Sequence, residues 1–145
     1  VSERAKRDPI SEEFDQLLTD LWRAQFSGHH RGFRPAVDSY RSDDPPRLVV
    51  VVELPGIDPE NVQIVLQERT LVIAGERIRR ATKGRRYHQM EIDHGSFQRR
   101  IHLHEQVDAE AASASYERGL LTIVLPLSER EAGSVRVPIK LRSRS

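Results

Sequence analysis

The sequence predicts an all-β fold, an antiparallel β-sandwich with a helical arm before it and an extended tail after it. Three observations predict the sandwich. Short stretches rich in branched apolar residues recur through residues 37–126, several with the two-residue alternation of a half-buried strand. Turn-forming residues punctuate them at short spacing, as in 43–46, 54–60, 68–69 and 118–119. No helix-length segment separates one stretch from the next, which argues against an α/β fold.

Residues 8–26 open the chain as a predicted amphipathic helix. Asp8 suits the N-cap and Pro9 the first helical position. Ile10, Phe14, Leu17, Leu18, Leu21 and Trp22 then fall on one face. That face has two readings: docking on the same domain, or an apolar surface offered to other chains. A polar linker, 27–32, follows.

The strand candidates come next in order. Residues 37–42 form a short one. Leu48-Val-Val-Val-Val52 suits a strand buried on both faces. Val62, Ile64 and Leu66 alternate with Gln63, Val65 and Gln67; residues 70–74 return, with Gly75 as the expected end. Residues 77–86 carry six cations, Arg77, Arg79, Arg80, Lys83, Arg85 and Arg86, and read as a solvated loop, since neither aromatic interleaving nor a nucleic-acid motif accompanies them. Residues 87–92 are a possible short strand. In 95–104, Phe97, Arg99, Ile101 and Leu103 share a parity, so Arg99 lies on an apolar face and needs a partner, or reaches the sheet edge on its long stem. Ala112, Ala114 and Tyr116 begin a hairpin that turns at Arg118-Gly119 and returns through 120–125 to Pro126. Residues 128–134 are polar, and 135–141 alternate apolar residues inside a basic tail. The expected organisation is an arm over 1–35, a sandwich over 36–127 and an extension over 128–145.

Composition narrows the function. Of 145 residues, 23 are Lys or Arg and 22 Asp or Glu, so a net charge of +1 steers the whole chain toward neither nucleic acid nor membrane. The absence of cysteine excludes thiol and disulfide chemistry and fits a reducing compartment. No apolar run is long enough to span a bilayer, and no secretory signal is expected at residues 1–7. G-x-S-x-G, P-loop and H-E-x-x-H motifs do not occur, and the carboxylates are scattered, so no catalytic set is expected and no cofactor. His29-His30 and His102-x-His104 lack the further ligands a metal site needs, so no metal site is expected and these histidines read as exposed.

The ordered motifs resemble those of the small heat-shock proteins. Leu54-Pro-Gly56, Leu71-Val-Ile-Ala-Gly-Glu76, Phe97-x-Arg99, Ala114-x-x-x-Arg118-Gly119-Leu120-Leu121 and Val137-Pro-Ile139 are similar to the successive signatures of the α-crystallin domain and the tail beyond it. Leu103-His104 departs from the family's Leu-Pro. The long excursion over 77–95 is similar to that of bacterial and plant members.

The resemblance implies an immunoglobulin-like sandwich and an ATP-independent holdase, not an enzyme, that binds partly unfolded proteins in the cytoplasm. A β-sandwich adaptor for folded partners is the alternative reading. By resemblance, Arg99, with Tyr87 and His88 in the swapping loop, belongs to a dimer interface, and dimers join into a larger homo-oligomer. Val137 and Ile139 would be the oligomer anchor, seated in a groove made by Val62, Ile64, Leu66, Ala112 and Ala114. Physically, two branched side chains on one face of an extended peptide suit pockets beside an exposed strand. The other reading of the tail is that it folds over its own chain. Phe14, Leu17, Leu18, Leu21 and Trp22 are the client-binding candidates. No nucleic acid and no membrane span are expected.

Overall fold

The valine run lies second from the edge of the larger of two sheets. The structure is a computed structural model that describes residue 16 and residues 32–128 and 135–141. Its strands in chain order are β1 (Val37–Ser42), β2 (Arg47–Glu53), β3 (Val62–Gln67), β4 (Thr70–Arg77), β5 (Gly95–His102), β6 (Ser113–Glu117), β7 (Leu120–Pro126), β8 (Val135–Arg136) and β9 (Ile139–Leu141). One sheet has the order β1-β2-β7-β6-β9 and the other β5-β4-β3-β8. Every strand pairing is antiparallel except β6 with β9.

The core lies between the sheets. Val50 and Val52 of β2, Leu71 and Ile73 of β4, Phe97 of β5, and Leu121, Ile123 and Leu125 of β7 are buried in one cluster. Each such side chain contributes roughly 1.5–3 kcal/mol when fully withdrawn from water. Within β7 the buried residues alternate with the partly exposed Thr122 and Val124, the pattern of a sheet with one face in the core.

Turn chemistry sets the hairpins. Arg118 (φ 54°) and Gly119 (φ 79°) both take left-handed conformations, the pair a two-residue type I′ turn requires. The turn is docked: Leu54 N–H donates to Gly119 O at 2.8 Å, and the Tyr116 hydroxyl donates to Leu54 O at 2.7 Å. Tyr116 therefore packs against the core and ties β6 to the 54–56 connector. Ala112 precedes β6 as the cap of a short 3-10 turn, Ala109–Ala111, whose Asp108 carboxylate accepts from Glu110 N–H at 3.1 Å.

Three local expectations change. Gly75 does not end its strand, because β4 continues to Arg77. A Cβ on Gly75 would sit 2.2 Å from Asn61 O and 3.1 Å from the Phe97 ring, so glycine serves there for close approach. Residues 87–92 form no strand, since among the described residues no strand pairs with them. The fifth strand stops at His102, which places His104 beyond the ladder. Of the predicted helix over 8–26, only Gln16 is described, and it is helical. Among the described residues, no helix is long and apolar enough to cross a membrane.

Candidate functional site: the tail groove and the loop stem

The tail joins the two sheets along one side of the sandwich. Its first strand, β8, pairs with β3 through Val65↔Arg136 and Leu66↔Val135. Val137 N–H then donates to Ile64 O at 3.1 Å. At Val137-Pro138 the chain steps across to the other sheet, where β9 runs parallel to β6 through Ala114↔Ile139, Ser115↔Lys140 and Tyr116↔Leu141. Pro138 favours this extended step, because its ring fixes φ and it has no N–H to leave unpaired.

Side chains fill the groove that this path covers. Val137 is 5% exposed and belongs to the same buried cluster as Val62, Ile64, Leu66 and Ala114. Ile139, Ala112 and Val135 are half-buried against it. The five groove residues and the two tail residues singled out in the sequence thus come together, within one chain. Val135 adds a third apolar tooth, visible in the sequence as the start of the 135, 137, 139 alternation. A hollow of about 580 Å³ remains beside Val137 and Ile139, bordered by Val62, Ile64 and Pro59.

Arg99 lies on the opposite side of the fold. It is partly buried on β5, and its Nη1 donates to Pro35 O at 2.8 Å. Burial, then the nearby Arg34 cation, holds the guanidinium below its ordinary pKa. Among the described residues no carboxylate comes within ion-pair distance of Arg99, and the backbone carbonyl of Pro35 is the partner it has. The segment leading into β1 supplies that carbonyl by running past β5. Tyr87 and His88 are exposed on the 77–95 excursion. The Tyr87 phenol is pulled below its ordinary pKa by hydrogen bonds from Arg85 and then Arg79, and the Arg79 guanidinium lies 5.5 Å from its ring.

The stem of that excursion holds a cluster absent from the sequence reading. Arg77 stacks over Phe33 at 4.1 Å and donates Nε to Asp93 O at 2.9 Å and Nη1 to Pro55 O at 3.1 Å. Phe33 in turn packs on Phe97, with ring centroids 5.1 Å apart. The mixed acid and base order of the stem hides this cluster from any periodicity. The His102 and His104 rings meet edge to face at 5.4 Å. Phe14, Leu17, Leu18, Leu21 and Trp22 lie outside the described residues.

The comparisons agree with this architecture. Residues 41–140 match the Hsp20/alpha crystallin family. Small heat shock protein C2 of Rickettsia felis is 29% identical over 133 residues, 90% of this chain and 84% of that protein. The 17.8 kDa class I heat shock protein of Solanum lycopersicum is 32% identical over 132 residues, 89% of this chain and 85% of that protein. Among solved structures, heat shock protein 16.0 of Schizosaccharomyces pombe superposes with a TM-score of 0.61 at 33% identity, covering 69% of this chain and 92% of that one. The hspA of Xanthomonas axonopodis gives a TM-score of 0.58 at 32% identity, over 69% and 98% of the two chains. With its strand order, its tail groove and these relatives together, the chain belongs to the Hsp20/alpha-crystallin family of small heat-shock proteins.

Proposed function

We propose that this ATP-independent chaperone works as a cytoplasmic holdase, not an enzyme, in which the tail seat described above is exchanged between subunits. The observation that carries the proposal is the tail's bridging of both sheets through Val137 and Ile139. The same contacts form whether the tail comes from its own chain or from a neighbour, and exchanging an identical element between protomers is a low-cost route to assembly. Dimers would form through the face around Arg99, with Tyr87 and His88 reaching the partner on the 77–95 excursion. Among the described residues β1 is an edge strand, which supports this, since an unpaired strand edge is a template for another chain.

Clients are partly unfolded proteins with exposed apolar surface. Burying that surface stabilises a complex by roughly 25 cal/mol per Å², without nucleotide. The candidate surfaces are the arm residues Phe14, Leu17, Leu18, Leu21 and Trp22, and the groove when the tail leaves it. Light scattering of a heat-aggregating client tests the reading. Scattering falls when this protein is added without ATP, and undiminished scattering at several-fold excess would sink the holdase mechanism.

A further inference from the structure

The chain enters the sandwich at the stem of its most basic loop. Phe33 donates its N–H to Ser96 O at 3.2 Å and lies under the Arg77 guanidinium. Arg77 also bonds Asp93 O, and Arg79 Nη2 donates to Ile92 O at 2.8 Å. These contacts fasten both ends of the excursion beside the point where the arm emerges. Further out, Arg80, Lys83, Arg85 and Arg86 are exposed, and among the described residues no carboxylate is in ion-pair reach of them. Residues 77–86 contain six cations and no acid.

One stretch of the arm carries the opposite charge, although the arm over 1–35 is balanced, with six acids and six Lys or Arg. Between residues 8 and 22 stand Asp8, Glu12, Glu13, Asp15 and Asp20, with no Lys or Arg. The net charge of +1 conceals this division. In the helix the sequence predicts here, Asp8, Glu12 and Asp15 fall at i, i+4 and i+7, on the side away from the Phe14–Leu21 stripe. The stretch from Trp22 to Phe33 spans at most roughly 36–40 Å when extended, so the acidic segment reaches the loop of its own chain or of an adjoining copy.

We propose that the acidic segment 8–20 docks on the basic loop 80–86. The carboxylates face the exposed arginines and Lys83, and the apolar stripe turns outward. Exposed like-signed clusters attract an opposite segment over about a Debye length, so the contact weakens with salt. This inference does not rest on the chaperone reading, since it concerns only where the arm sits.

Zero-length carbodiimide cross-linking of the full chain tests it. Lys83 is one of only three lysines, with Lys6 and Lys140, so its links are readily assigned by mass spectrometry. At low salt Lys83 joins Glu12, Glu13 or Asp15. The yield falls roughly tenfold in high salt or in the Arg80→Glu, Arg85→Glu, Arg86→Glu variant, which keeps Lys83 and the arm carboxylates; that is the size expected for a few exposed ion pairs acting together. Combining that variant with Glu12→Lys, Glu13→Lys and Asp15→Lys restores arm-to-loop links with the charges exchanged. Mixing isotope-labelled and unlabelled chains assigns each link to one chain or two, and either result supports docking. The proposal is overturned if Lys83 links only to carboxylates of the sandwich, or if the links resist both salt and charge reversal. It is overturned in favour of a nucleic-acid site if single-stranded RNA binds through Arg80, Arg85 and Arg86 while no link from Lys83 to the arm forms.

Discussion

At the residue scale, close approach and single polar bonds set the strongest constraints. The Gly75→Ala variant places a Cβ against Asn61 O and the Phe97 ring, contacts that a packed sheet does not absorb freely. We expect it to lose about 1–3 kcal/mol, the usual penalty of overpacking, read as a lower denaturation midpoint with unchanged slope. The Tyr116→Phe variant leaves Leu54 O without its 2.7 Å donor and should lose about 0.5–1.5 kcal/mol by thermal unfolding. Arg99→Ala removes the bond to Pro35 O. If this face is the dimer interface, the variant dissociates at concentrations where the parent chain stays dimeric, as seen by sedimentation. Sequence parity put Arg99 on an apolar face and demanded a partner, but the partner is a carbonyl 64 positions away, and no local pattern encodes that distance.

At the scale of elements, short-range chemistry was readable and long-range pairing was not. Arg118-Gly119 announced a tight hairpin, and the structure gives it two left-handed residues. The period-two alternation at 62–66 marked a strand whose Val62, Ile64 and Leu66 point into the core. Gly75 misled because glycine marks both strand ends and close approach, and only the position of Asn61 distinguishes them. The expected strand over 87–92 is missing because a strand needs a pairing partner, and among the described residues none pairs with it. The tail alternation at 135–139 predicted an edge-adding peptide; its crossing from β3 to β6 at Val137-Pro138 depends on how the two sheets stack. Hydrogen exchange probes this element. Replacing Val137 and Ile139 by Gly should speed exchange in 62–66 and 113–117 while the β2 and β7 amides stay protected.

At the scale of the whole molecule, the sandwich is a folded body with two surfaces proposed for joining, the tail groove on one side and the β1 edge with Arg99 on another. Near-neutral total charge masks an acidic segment over 8–22 and a basic loop over 77–86, so assembly should respond to salt more than the net charge suggests. The family membership accounts for chaperone activity without nucleotide; the tail seat accounts for how subunits would join and how a client groove would open. Native mass by multi-angle light scattering, compared between the parent chain and the Val137→Gly, Ile139→Gly variant, tests that claim most directly. The parent should run as a large oligomer and the variant as dimers, and an unchanged mass in the variant would contradict the account.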